Sequence, residues 1–225
     1  MKDELTIRPR RLTVRLLCGF AGLFGALIGA MIVSVIIEWF GMTLFWSDQG
    51  ASRSAAILEQ DLSYLGFGES SRYEIMPVTA VWAVWIFSNL YQVLMVWTGL
   101  ETLIVSFGAT SYLLASYLQA AINTIQTYLV RLAITITALP LIVLFGVWGA
   151  LEGTVRRDLR RFGGDIEHSM LYHWAKHVAG VVVLVPIMLY LAWPTSVNPA
   201  WVFVPFAFLL GINLMALTSN FTKYV

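Results

Sequence analysis

The chain has 225 residues, of which 59% are hydrophobic and only 12% carry a charge. Soluble domains are less apolar, and about a quarter of their residues are charged. The composition therefore excludes an ordinary soluble protein and predicts an integral membrane protein. The net charge of +1 shows no overall acidic or basic bias. Cys18 is the only cysteine, which excludes a disulfide framework or a thiolate metal cluster within one chain.

A basic tail, residues 1–15, precedes an uncharged run of 22 residues at 16–37. At about 1.5 Å per residue this run covers a hydrocarbon core of about 30 Å, so it predicts the first transmembrane helix. Small residues recur on one face at intervals of three and four, and the set is Gly19, Gly22, Ala26 and Gly29, with Gly25 and Gly29 forming a GxxxG motif. Such residues let helix backbones approach. We expect this face to pack against a neighbour in the same chain, a partner, or a second copy in a homo-oligomer.

Residues 38–77 are polar and acidic, and we expect them to form an extracytoplasmic loop. Their charges are Glu38, Asp48, Glu59, Asp61, Glu69 and Glu74 against Arg53 and Arg72. The stretch Leu65–Ser71, LGFGESS, is rich in turn residues.

Residues 78–130 contain a single charge, Glu101, so two further spans fit by length. A polar stripe argues against them, since its members recur mostly three, four or seven apart: Ser106, Ser116, Gln119, Asn123, Gln126 and Thr127. Ser88, Asn89 and Gln92 add to the cost of placing this region in lipid. We favour two amphipathic or membrane-embedded helices here, with six spans in total as the alternative.

Three more apolar runs predict transmembrane helices at residues 132–150, 178–193 and 201–217, followed by a short tail, 218–225. Trp193 and Trp201 flank the uncharged turn between the last two runs, as aromatic residues do at membrane interfaces. Near the end of the second run, Gly146, Gly149 and Gly153 lie three and four apart, which allows that helix to lie close to a neighbour.

The distribution of basic residues predicts the topology. Eleven Lys and Arg residues lie in the two tails and in the segment 151–177, whereas three lie in residues 38–131. The positive-inside rule then places both termini and the 151–177 segment in the cytoplasm. The predicted fold class is an all-α integral membrane protein with about four transmembrane helices plus two amphipathic or membrane-embedded helices.

The cytoplasmic segment 151–177 predicts a helical hairpin. The helical pattern from the second span continues through RRDLRRF, and Gly163 and Gly164 form a C-cap pair that ends it. Asp165 is suited to cap the next helix, with Glu167 in its first turn.

No catalytic or metal site is expected in this hairpin. His173 and His177 are four residues apart, but the glutamate of a zincin motif is missing and no third ligand is fixed. Ser169 and His173 lack an orienting acid, so a hydrolase is not expected either. We therefore expect neither an enzyme nor a bound cofactor.

Four arginines of the hairpin could contact phosphates: Arg156, Arg157, Arg160 and Arg161. Beside a membrane, such a cluster indicates topology and contact with anionic lipids. Since nothing nearby supplies base readout, we expect no sequence-specific nucleic-acid binding.

The same hairpin resembles the signature of TraJ-like inner-membrane proteins of integrating conjugative elements and conjugative plasmids. The resemblance rests on Gly149, Gly153, Arg157, Asp158, Arg160, Arg161, Phe162, Gly163, Gly164, Glu167, Ser169, Tyr172 and His173. The chain departs from that signature at residues 165–168, where it reads DIEH.

The resemblance implies a multi-pass protein of the bacterial inner membrane. Its relatives are encoded beside a TraG/TraD-type coupling ATPase, which feeds DNA into a type IV secretion channel. The implied function is a non-catalytic accessory of DNA transfer that docks to this ATPase. The expected docking residues are Arg156, Arg157, Asp158, Arg160, Arg161, Gly163, Gly164, Glu167, Tyr172 and His173. A small transporter or channel subunit and a membrane assembly scaffold are the alternatives.

Overall fold

The computed structural model describes residues 9–65, 78–99, 102, 106, 112–163 and 169–220. The α-helices in these ranges are α1 (Pro9–Leu44), α2 (Ala51–Tyr64), α3 (Val78–Tyr91), α4 (Tyr112–Gly163), α5 (Ser169–Ala192) and α6 (Pro199–Ser219). A π-helical turn, Gln92–Val96, continues α3. The described part of the chain contains no β-strand.

Four of these helices are long and apolar enough to cross a membrane. The candidate spans among the described residues are Ala21–Leu44, Leu113–Arg160, Tyr172–Ala192 and Pro199–Ser219, with Val81–Val96 as a shorter apolar helix. The predicted fold class, all-α with four candidate spans and shorter helices, is confirmed. The cytoplasmic location of both termini stays a prediction.

The longest helix, α4, has 52 residues and differs most from the prediction. At a rise of about 1.5 Å per residue it is about 78 Å long, more than twice the thickness of a hydrocarbon core of about 30 Å. The predicted boundary between an amphipathic region, 78–130, and a span, 132–150, is replaced by one continuous helix. Pro140 lies inside this helix without ending it. The polar stripe stays helical because another helix, α2, packs beside it.

The segment predicted as an acidic loop, residues 38–77, also contains helical structure. α1 continues to Leu44, and α2 lies within the segment. A loop was expected because charged side chains usually face water. Glu38 and Asp61, however, are only 5% and 0% exposed. The turn predicted at Leu65–Ser71 falls outside the described residues from position 66 onward.

The hydrophobic core lies where the middle of α4 meets α3, the end of α5 and the start of α6. Its buried residues are Leu65, Ala83, Tyr128, Val130, Ile134, Tyr190, Leu191 and Phe203. The rings of Tyr190 and Phe203 meet edge to face, with centroids 5.2 Å apart. This contact joins the end of α5 to the start of α6.

α4 packs most extensively against α6, and glycines allow the close approach. A Cβ added at Gly149 would overlap the carbonyl oxygen of Gly211. One added at Gly153 would lie 2.6 Å from the carbonyl oxygen of Met215. Gly146 belongs to the same face, and a Cβ there would lie 3.2 Å from a leucine side chain of α6. The neighbour of this glycine face is therefore the last helix of the same chain.

The glycine face of α1 is open among the described residues. A Cβ added at Gly19, Gly22, Gly25 or Gly29 would meet nothing within 4 Å. α1 contacts the rest of the protein elsewhere on its surface; the Tyr128 hydroxyl, for example, donates to the Leu27 carbonyl oxygen at 2.8 Å. Pairing of the glycine face with a partner or a second copy stays a prediction.

The substitution Gly149→Ala should destabilise the protein, because its Cβ would overlap the backbone of α6. Overpacking of this kind costs about 1–3 kcal/mol, and thermal unfolding in detergent would measure the loss. The matched control, Gly25→Ala, adds the same methyl group to an open helix face. It should leave the melting temperature unchanged or raise it, since alanine favours helix by about 1 kcal/mol. Equal melting temperatures for the two variants would contradict the α4–α6 packing described above.

Candidate functional site

Polar side chains recur every four residues on one face of α4. They are Gln119, Asn123, Thr127, Arg131 and Thr135, and all but the first are buried. Asn123 Nδ2 donates to Ser54 Oγ on α2 at 3.1 Å. The hydroxyls of Thr127 and Thr135 each donate to the carbonyl oxygen four residues earlier, at 2.8 Å. The stripe therefore has partners inside the protein and does not face lipid unpaired.

Arg131 is the centre of a buried ion-pair network. Its Nε lies 2.7 Å from Asp61 Oδ2, and the two side chains are 3% and 0% exposed. Its Nη1 donates to the carbonyl oxygens of Tyr190, at 3.3 Å, and Trp193, and its Nη2 donates to that of Thr195 at 2.8 Å. These carbonyls lie at the end of α5 and in the turn after it, where helix geometry leaves acceptors unpaired. Arg131 thus joins α2, α4 and the α5–α6 turn.

A second arginine, Arg53 of α2, binds the same turn. Its Nη2 donates to the Pro194 carbonyl oxygen at 3.1 Å. Its Nη1 lies 3.5 Å from Glu38 Oε2 on α1, and its guanidinium lies 3.6 Å from the centre of the Trp46 ring. The contact with an aromatic face adds a cation–π interaction. Two arginines therefore hold one short turn, and α1 is tied to it through Glu38.

The turn itself is ordered by side chains on both sides. Ser196 Oγ donates to Asp61 Oδ1, so both carboxylate oxygens of Asp61 have a partner. Asn198 caps α6, since its Oδ1 accepts from the Ala200 N–H at 3.0 Å and Pro199 opens the helix. A buried charge requires such complete pairing, because removing its partner destabilises a folded protein by about 3–5 kcal/mol.

This network was missed at the sequence level. Glu38 and Asp61 were predicted to be charges of an extracytoplasmic loop, and Arg131 was counted among the basic residues that predict the topology. Two signals pointed to it. Ser54 and Asp61 are seven residues apart on one face of α2. On α4, the four-residue spacing of Asn123 and Thr127 continues through Arg131.

The predicted partner-binding arginines lie at the other end of α4, and Arg156 and Arg160 bind residues of the same chain. Arg156 Nε lies 2.9 Å from Glu152 Oε1, four residues earlier on the same helix. Arg160 Nη1 donates to Asn220 Oδ1 at 3.1 Å, and its Nη2 donates to the Ser219 carbonyl oxygen. Arg160 therefore fixes the end of α6 beside α4.

The remaining residues of the predicted docking set are only partly described. Arg157 is partly buried and Asp158 is exposed. The described part of α4 reaches Gly163, and the predicted C-cap pair Gly163–Gly164 stays a prediction. The positions outside the described residues are Gly164, Asp165, Glu167 and His168, together with the side chain of Arg161.

The two arms of the predicted hairpin are not packed against each other along their length. Among the described residues α5 packs mainly on α6 and makes few contacts with α4. The physical reason is the glycine face of α4, which admits α6 at close range. On α5, the rings of Tyr172 and His173 meet edge to face at 5.6 Å, and His177 Nδ1 lies 2.8 Å from the His173 carbonyl oxygen. Within the described ranges, no group of three His, Cys, Asp or Glu residues could hold a metal ion.

The substitution Asp61→Asn should destabilise the fold strongly, because it leaves the buried Arg131 guanidinium without a counter-charge. Breaking a buried pair in this way costs about 3–5 kcal/mol, measured by thermal or denaturant unfolding in detergent. The control is Glu59→Gln, which removes an exposed acid from the same helix and should change stability by less than about 0.5 kcal/mol. Similar stabilities for both variants would show that the Arg131 network does not hold the helices together.

One family model matches most of the chain, residues 45–222, and its description is "IncC plasmid conjugative DNA transfer protein DtrJ-like". The matched range includes α2 to α6. No curated protein and no solved structure matches the chain. The predicted relation to conjugation is thereby confirmed, although the description names DtrJ-like and not TraJ-like proteins. The chain belongs to the DtrJ-like family of conjugative DNA transfer proteins.

Proposed function

We propose that the protein is a non-catalytic membrane accessory of conjugative DNA transfer that docks to the coupling ATPase of a type IV secretion system. Its membership of a conjugative DNA transfer family is the observation that carries the proposal. The four candidate spans agree with a membrane location. The choice of partner is supported by the resemblance of Gly149–His173 to TraJ-like proteins encoded beside a TraG/TraD-type ATPase, on plasmids or integrating elements.

The proposed location is the bacterial inner membrane, with the Arg160 end of α4 in the cytoplasm. The excess of Lys and Arg in the two tails and in residues 151–177 supports this orientation. Arginines at this level also attract anionic lipids, by about 1 kcal/mol each. The same end of the molecule would then face the cytoplasmic ATPase.

The proposed docking surface includes only part of the arginine cluster. Arg160 already holds the end of α6, so its charge is used within the fold. Arg156 and Asp158 are exposed and are better placed to meet a partner. Reversal of Arg156 should also cost little folding energy, because an exposed ion pair contributes about 0–1 kcal/mol.

A small transporter or channel subunit is the second candidate. Ionisable residues within spans usually mark a pathway, and Glu38 and Arg131 lie within the candidate spans Ala21–Leu44 and Leu113–Arg160. Arg131, however, is bound by Asp61 and by three carbonyl oxygens. A side chain held in this way serves to join helices, so the accessory function is preferred.

In a donor strain that lacks this gene, conjugative transfer should fall and should return with the wild-type gene. Arg156→Glu should restore it poorly and should weaken co-purification with the coupling ATPase about tenfold, equivalent to about 1.4 kcal/mol. Glu59→Lys is the control, because it reverses an exposed charge on α2 with the same two-unit change. Membrane insertion is checked for each variant by fractionation. Unchanged transfer after deletion of the gene would refute the proposed function.

A further inference from the structure

α4 exposes an apolar stripe on the side away from α6. Its members and their exposed fractions are Leu144 65%, Leu151 62%, Val155 53%, Leu159 66% and Phe162 93%. Trp148 is not a member, because its ring stacks on that of Phe208 of α6. At 3.6 residues per turn they lie within a strip about 80° wide. Three residues that contact α6 lie on the opposite side of the helix, namely Gly149, Gly153 and Arg160. Packing within the described part of the chain therefore leaves the stripe largely uncovered.

The stripe follows a straight line along α4. Leu144 and Val155 are eleven residues apart, and the same interval separates Leu151 from Phe162. An eleven-residue repeat corresponds to about 3.67 residues per turn, close to the helix itself, so its positions do not drift around the axis. The stripe keeps one direction over about 27 Å, which suits a single long partner helix.

Lipid can cover only part of this stripe. α6 has 21 residues and is about 31 Å long, the thickness of one hydrocarbon core. Gly153 faces Met215 and Thr218 near the end of α6. Arg160 binds the next two residues of the chain, Ser219 and Asn220. Leu159 lies six residues beyond Gly153, and Phe162 lies beyond both. The last members of the stripe therefore extend to the headgroup region or past it.

The flanks of the stripe favour a protein over anionic lipid. Glu152 and Arg156 lie along one edge, and Asp158 lies along the other. An anionic membrane surface attracts cations and repels acids. Val143 and Val147 are also exposed and widen the apolar surface before Leu151. From Leu151 to Phe162 the stripe is narrow and has charges of both signs on its edges, which is the pattern of a helix–helix seam.

We propose that this stripe is the docking seam for one α-helix of the partner, which crosses the membrane beside α4 and continues with it past Leu159. The partner's identity as the coupling ATPase rests on the proposed function, whereas the seam rests on α4 alone. The charges on the edges of the seam are two acids, Glu152 and Asp158, and one base, Arg156, which pairs with Glu152. Charge complementarity therefore assigns a basic side chain to the partner helix opposite Asp158.

Site-specific photo-crosslinking in cells tests the seam. The crosslinking amino acid p-benzoylphenylalanine replaces Val155, Leu159 or Phe162 in the full-length protein, in donors that carry the complete transfer system. All three positions should give the same protein adduct, mapped by mass spectrometry to a membrane helix of the coupling ATPase. The control position is Thr154, which is exposed at the same level of α4 but lies off the stripe. Adducts with lipid alone, with a second copy of the chain, or equally from Thr154 would overturn the seam.

A paired variant separates the seam from the proposed function. Leu159→Ala with Phe162→Ala should weaken co-purification with the ATPase at least about tenfold, since buried anchors of an interface each contribute more than about 1 kcal/mol. Thr154→Ala should leave it unchanged. If the double variant co-purifies like wild type while gene deletion still abolishes transfer, the seam is wrong and the function stands. If the crosslinks map to a helix of a different transfer protein, the seam stands and the choice of the ATPase is wrong.

Discussion

A buried arginine organises this protein, because a guanidinium taken out of water must find partners on all sides. Arg131 finds a counter-charge in Asp61 and three carbonyl acceptors at the end of α5 and in the turn after it. The counter-charge comes from α2 and the carbonyl acceptors come from residues 190–195, so satisfying one side chain fixes the relative positions of α2, α4 and the α5–α6 turn. Burial makes the arrangement obligatory, since loss of one partner leaves an uncompensated charge.

Two parts of α4 hold the other helices by different kinds of contact. Around Arg131 it holds the other helices through polar contacts, and further along it admits α6 through Gly149 and Gly153. Past these glycines the helix continues to Gly163, with Arg160 fixing the end of α6 beside it. Among the residues that the structure describes, one side of α4 stays uncovered while the opposite side is attached to α6. A rigid helix with one uncovered apolar side is suited to hold a partner helix in a fixed direction.

The sequence was sufficient to predict the class of protein and its four candidate spans, because these depend on local composition. The Asp61–Arg131 pair was beyond reach, since it joins residues 70 positions apart and an acid in a polar stretch reads as solvated. For the same reason the helix α2 was predicted as a loop. The continuity of α4 was missed because its polar stripe becomes compatible with a long helix only once α2 covers it. At the candidate docking end, the sequence identified the arginines, but their partners within the fold depend on the position of α6.

The apolar stripe on the exposed end of α4 would define a docking site more narrowly than the arginine cluster alone. A charge cluster alone would give a salt-sensitive contact with little geometric definition, whereas an apolar seam with charged edges fixes both position and register. The most direct measurement is a cryo-EM structure of the assembly purified through a tag on this chain from cells that carry the transfer system. The account predicts the coupling ATPase in the map, with one of its helices lying along α4 from Leu144 to Phe162. A map in which the ATPase is absent, or in which it contacts another surface and leaves this stripe to lipid, would contradict it.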